Sequence, residues 1–155
     1  MRHGFAGQFS LDPKTERERP LLPEGKATVL AMCKAIDKAG EYPKSIFCSP
    51  FARTTMTADI VGKYFGVSVN VVGGFAPVRP LETEIYNLVS ADRLKRVFIC
   101  CHVDNSSPAM KNFDSPDKWK DLVMAEVRRV EMSRKDCSWT MQFVLKPSDI
   151  GLRDR

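Results

Sequence analysis

Ser45-Ile46-Phe47-Cys48-Ser49-Pro50-Phe51-Ala52-Arg53-Thr54 is the stretch that decides the fold. Its first four residues read as a short buried strand. Ser49-Pro50 follows without a spacer, and it combines an N-cap serine with a proline at the first helical position. The helix opened there carries Ile60, Val61, Tyr64 and Phe65 and stops at Gly66. Upstream, Pro23 opens a helix to about Ala39, with Val29, Met32, Cys33 and Ile36 on one face and Gly40 as its C-terminal cap. Downstream, Val67 to Val72 reads as a second strand, Pro77 to Pro80 as a loop, and Glu82 to about Arg96 as a helix carrying Ile85, Leu88, Val89 and Leu94. Val97 to Cys101 is uniformly apolar, as in a strand buried on both faces. Ser115-Pro116 repeats the cap signal, and the helix predicted after it sets Trp119, Leu122, Val123, Glu126, Val127 and Val130 in one stripe. Trp139, Met141, Phe143 and Leu145 alternate with Ser138, Thr140, Gln142 and Val144, which predicts a last strand near a sheet edge. Residues 5–22 read as a polar loop, and the tail from Lys146 as loose chain.

Strands alternating with helices predict an α/β fold, a mainly parallel central sheet flanked by helices, in a single domain over residues 1–155. No apolar run approaches the roughly 20 residues that cross a bilayer. No apolar stretch follows Met1-Arg2-His3-Gly4, so we expect a cytoplasmic protein that does not engage a membrane. The formal charge of +5 is spread over 24 basic and 19 acidic residues without a basic stripe, which argues against nucleic acid as a partner. The five cysteines form no C-x-x-C pair, and vicinal Cys100-Cys101 lies in an apolar run where thiols pack as small hydrophobes. Two distant histidines and scattered cysteines predict no metal.

Parallel sheets bind ligands at the carboxyl ends of their strands. His102 directly follows the strand 97–101, Arg53 lies in the first turn of the helix after 45–48, and Arg2-His3-Gly4 opens the chain. Both histidines of the protein belong to this set. Two imidazoles and two guanidiniums around one point suit a phosphoryl group. Arginine's planar fork grips phosphate oxygens through paired charged hydrogen bonds, and a neutral imidazole nitrogen can attack phosphorus and carry it covalently. Lys14, Arg17 and Arg19 either offer further cations to an anionic substrate or form a solvated loop.

These residues resemble the histidine phosphatases, also called the phosphoglycerate mutase-like superfamily. Arg2-His3-Gly4 looks like the signature tripeptide, and Arg19-Pro20-Leu21 with Glu24-Gly25 like its "R-P-L-T-x-x-G" segment. Ser49-Pro50-Phe51-Ala52-Arg53-Thr54 resembles "S-P-x-x-R-A", Thr57-Ala58 the following "T-A", and 97–102 the strand that presents the second histidine. The order holds over roughly residues 1–110, and the length suggests the short, SixA-like branch. The resemblance implies a three-layer α/β/α sandwich and a phosphatase needing no cofactor. It implies His3 as the phosphorylated nucleophile, Arg2 and Arg53 as the phosphate clamp with Gly4 and Ser49 beside it, and His102 as stabiliser of the transferring group. The substrate would be a phosphorylated small molecule or a phosphohistidine protein.

The chain departs from the pattern in three places. Only Met1 precedes the tripeptide, so the first strand reads as truncated and His3 as exposed to fraying. Val103-Asp104-Asn105 follows His102 where relatives have a small polar turn. The position of a general acid falls to Glu82 or Glu84, which read equally as first-turn carboxylates favouring a helix dipole. These departures leave a second reading, a catalytically impaired relative that binds phosphate or protein.

Overall fold

The computed structural model describes residues 1–77, 81–92, 96–102, 122–132 and 139–154. Strands β1 (Ser45–Cys48), β2 (Val69–Val71) and β3 (Val97–Cys100) form a parallel sheet in the order β2-β1-β3. Alternation along β1 sends Ile46 and Cys48 to one face and Phe47 to the other. On the first face they pack, with Phe98 and Cys100, against Val29, Met32, Cys33 and Ile36 of α2 (Pro23–Lys38) and Ala58 and Val61 of α3 (Ala52–Phe65). On the second face Phe47 and Cys101 meet Phe75 and the Leu81 and Ile85 side chains of α4 (Leu81–Asp92). Helices on both faces of a parallel sheet make the expected three layers. Each large apolar side chain buried here contributes about 1.5–3 kcal/mol, so strands of only three or four residues suffice when both faces are covered.

Cys100 and Cys101 thus point into opposite core layers. Burial pushes the Cys33 thiol up to about 12, the Cys48 thiol up to about 11, and the Cys100 thiol up as well. These thiols act as small hydrophobes rather than as nucleophiles.

Several boundaries differ from those read in the sequence. A short helix, α1 (Pro13–Glu18), interrupts the polar loop, because the Asp12 carboxylate caps Thr15 N–H at 2.8 Å and Pro13 pre-sets the first turn. Helix α3 begins after Phe51 rather than at Ser49-Pro50, since the Ser49 hydroxyl turns to His102 instead of capping. Gly66 takes the left-handed conformation at φ 69° and Val67 N–H bonds back to the Gly62 carbonyl, which delays β2 to Val69. The tail is not loose: Pro147–Ile150 forms a 3-10 turn in which Pro147 is buried and Ile150 packs on the core.

The largest correction concerns the helix expected after Ser115-Pro116. Its first part lies outside the described residues, but Leu122 to Glu126 is a turn and β4 (Val127–Met132) is a strand antiparallel to β5 (Trp139–Leu145). Glu126 decides the matter. Its carboxylate takes Arg128 Nε at 2.6 Å, and residues two apart share a side only in extended chain. The polar residue in the supposed helical stripe therefore sits in the turn before β4 and pairs with a residue inside that strand.

Met1 to His3 lie alongside the end of β3. The Met1 nitrogen donates to the Ile99 carbonyl at 2.7 Å, Cys101 N–H to Met1 O at 3.0 Å, and His3 N–H to Cys101 O at 3.2 Å. On the other side Arg2 N–H donates to Glu126 O and Ala125 N–H to His3 O, each at 3.1 Å. The tripeptide is held from both flanks rather than frayed.

Candidate active site

His3 sits at this pinned segment, 4% exposed. Arg53 Nε, which can only donate, points at His3 Nε2 from 3.2 Å. Nε2 must therefore accept, so Nδ1 carries the proton and donates it to the Gly4 carbonyl at 2.8 Å. The ring is held as a neutral imidazole with its lone pair on the arginine side. Burial, opposed by the Gly4 hydrogen bond and reinforced by the charges of Arg53, Arg2 and Arg19, pulls the His3 pKa down to about 3.

His102 leaves the end of β3 beside it, 1% exposed, with ring centroids 5.5 Å apart at an interplanar angle of 62°. Its Nε2 shares a 2.8 Å hydrogen bond with the Ser49 hydroxyl at the end of β1. Burial first, then Arg53, His3, Arg19 and Arg2, lower its pKa to about 2. Phe51 packs edge-on against the His102 ring at 5.1 Å, and the Arg53 guanidinium lies over its face at 4.9 Å. Both imidazoles are thus neutral bases at pH 7, surrounded by guanidiniums.

Arg2 approaches from the other flank, where its Nη1 donates to the Leu122 carbonyl. That carbonyl belongs to the 122–126 turn, which Glu126 closes by accepting Val123 N–H at 2.9 Å while holding Arg128. Ala125 takes a φ of 63° in this turn, a conformation an L-residue adopts only under constraint. Gly4 meets a tight approach, since a Cβ there would fall 2.7 Å from Val29 Cγ2 and 2.9 Å from the Gly25 carbonyl. Its N–H donates to Thr57 Oγ1 at 3.1 Å, and Thr57 in turn donates to the Arg53 carbonyl at 2.7 Å. One threonine therefore ties the tripeptide to α3.

The structure thus brings together His3, Arg2, Arg53, His102, Gly4 and Ser49. The two glutamates stand differently. Glu84 lies against the turn after β2, where a Cβ on Gly74 would overlap its carboxylate, and the side chain of Glu82 lies outside the described residues. So does the Val103-Asp104-Asn105 segment. Phe51, Thr57, Glu16, Leu122 and Glu126 were not singled out from sequence as site residues. Glu16 and Arg19, three apart, become neighbours only once α1 is recognised from the Asp12-Pro13 cap.

A buried pair of neutral histidines flanked by arginines thus lies at the carboxyl ends of the parallel strands, where open α/β sheets hold their ligands. The chain has the fold of the histidine phosphatases. A solved structure of the protein histidine phosphatase SixA bound to tungstate superimposes with a TM-score of 0.83 over 97% of this chain and 96% of that one, at 18% identity. A putative phosphohistidine phosphatase SixA from Agrobacterium tumefaciens gives 0.80 over 95% of each chain at 15% identity. A mycobacterial glucosyl-3-phosphoglycerate phosphatase complexed with VO3 gives 0.68 over 92% and 95% at 13% identity. No family model and no curated protein matches the sequence.

Proposed function

We propose that this chain is a phosphatase that hydrolyses a phosphomonoester or a protein phosphohistidine through a phosphorylated His3. The observation that carries this reading is the Arg53 Nε contact with His3 Nε2, which fixes the tautomer a nucleophile needs. Arg53 Nε–H passes from the Nε2 lone pair to a phosphoryl oxygen, and His3 Nε2 then attacks phosphorus, forming the N–P bond while the bond to the leaving group breaks. Arg2, Arg53 and His102 surround the three equatorial oxygens whose charge must be stabilised in that step. A phosphohistidine protonated on its far ring nitrogen departs as neutral imidazole, so it needs no acid from the enzyme. Water then attacks phospho-His3, the N–P electron pair returns to Nε2, and phosphate leaves with the proton balance passing to solvent. An ester leaving group would need a proton donor, for which Glu84 and Glu82 remain the candidates.

The likeness to SixA structures across nearly the whole chain supports the phosphohistidine substrate, a reading that reaches beyond the shared fold. The test is phosphate release from a phosphohistidine peptide and from an aryl phosphate, comparing wild type with His3→Ala. We expect turnover in wild type, faster on the peptide, and none in the variant. Tight phosphate binding without turnover on either substrate would instead favour the binding-module reading.

A further inference from the structure

Glu16, within α1, makes polar links on both its side chain and its main chain. Oε1 lies 2.7 Å from Arg19 Nη2 and 3.2 Å from Arg53 Nη1, and Oε2 accepts Ser10 N–H at 3.1 Å. Its carbonyl oxygen accepts Arg53 Nη1 at 2.9 Å. Arg53 is therefore gripped at one end by Glu16 and directed at the other onto His3. Burial would raise the Glu16 carboxyl, but the Arg19 and Ser10 hydrogen bonds and the Arg53 charge outweigh it and hold it below the usual carboxylate value.

We propose that Glu16 is a positioning residue for the phosphoryl clamp: it binds Arg53 and Arg19 through one shared oxygen, fixing the Arg53 fork against His3. The proposal rests on the phosphatase reading of the site. Two guanidiniums this close repel each other, and a carboxylate between them offsets that repulsion. With Nε and Nη1 of Arg53 both engaged, the plane of its guanidinium is set before substrate arrives, which is the preorganisation that in-line phosphoryl transfer requires. A competing idea is that Glu16 mimics phosphate and is displaced by it. Displacement would have to break the Arg19 and Ser10 links together, and the Glu16 carbonyl would still hold Arg53.

The experiment compares wild type with Glu16→Gln and Glu16→Ala. No residue of α1 is buried, so neither variant removes core contacts. Steady-state kinetics on a phosphohistidine peptide are read alongside the Arg53 Nε–H proton–nitrogen NMR signal, assigned by its loss in Arg53→Lys. We expect kcat to fall about 10- to 100-fold with KM nearly unchanged, and the Arg53 signal to broaden or move toward that of a solvated arginine. A lower KM at unchanged kcat would establish competition with phosphate and overturn the proposal, as would unaltered kinetics with an unaltered signal. Failure of wild type to turn over would defeat the phosphatase reading, and the NMR signal would then decide the role of Glu16 by itself.

Discussion

Residues 1–102 and residues 122–154 build the two flanks of one site by different means. The first region places reactive side chains at the carboxyl ends of parallel strands: His102 after β3, Ser49 after β1 with Arg53 just beyond it, and His3 beside them. The second region forms an antiparallel pair, and what it offers to Arg2 is main-chain carbonyls, that of Leu122 to the side chain and that of Glu126 to the main-chain N–H. Its own charged pair, Glu126 with Arg128, is buried and serves to hold the turn that presents these carbonyls. On the proposed mechanism, chemistry is concentrated where parallel strands end, and the antiparallel addition supplies orientation.

The sharpest way to break this contrast is to remove a group from each flank. His3→Ala in the first region should lower turnover at least about 10⁴-fold, because it removes the nitrogen proposed to carry the phosphoryl group. Arg53→Ala should cost about 10²- to 10³-fold in kcat/KM, the loss typical of a preorganised donor to developing oxyanion charge. Glu126→Gln should behave in the opposite way. It removes the carboxylate from a buried pair held at 2.6 Å and should destabilise the fold by about 3–5 kcal/mol in urea titrations. Its effect on kcat in the folded fraction should stay near about tenfold, through a loosened Leu122 carbonyl. A larger loss of kcat from Glu126→Gln than from Arg53→Ala would reverse the assignment of the two flanks.

The pH dependence sharpens the comparison more gently. His3 and His102 have folded pKa values of about 3 and about 2, below the ordinary 6.5, so the unfolded chain takes up protons first as the pH falls. The stability they contribute is present above pH 6.5 and is lost progressively toward those lower values. Urea midpoints should decline from pH 6.5 downward, and His102→Gln should flatten that decline. For an aryl phosphate, the acid limb of kcat/KM corrected for substrate ionisation should lie well below pH 6.5. Ser49→Ala should have the smallest effect, about 1 kcal/mol, since it deletes one hydrogen bond to a ring that remains packed on Phe51.

The same division explains what was legible in the sequence. Parallel strands covered on both faces are short apolar runs ending at punctuating residues, so β1, β3 and the helices between them stand out, and with them Arg53 and His102. Arg2 and His3 were legible from the tripeptide and its order relative to the other motifs. Residues 139–145 were legible too, since their strict alternation reads as the strand β5. Residues 122–132 were not, because Val127 and Val130 are three apart and fit a helical stripe as well as an irregular strand. What separates the two readings is the pairing of Glu126 with Arg128, a two-residue relation that a helical search passes over. Helix α1 was hidden for another reason. It buries nothing, so no hydrophobic period marks it, and only the Asp12-Pro13 cap does. Glu16, and through it the support of Arg53, was missed with it.

The central claim is that His3 carries the phosphoryl group. It is tested most directly by mixing the protein with a phosphohistidine peptide, quenching in alkali to preserve phosphoramidate, and locating phosphate by mass spectrometry. The account predicts an acid-labile phosphoryl group on the peptide containing His3, formed within one turnover and absent in His3→Ala. Phosphate released by a folded wild-type protein with no adduct on His3, or with the adduct on His102, would contradict it.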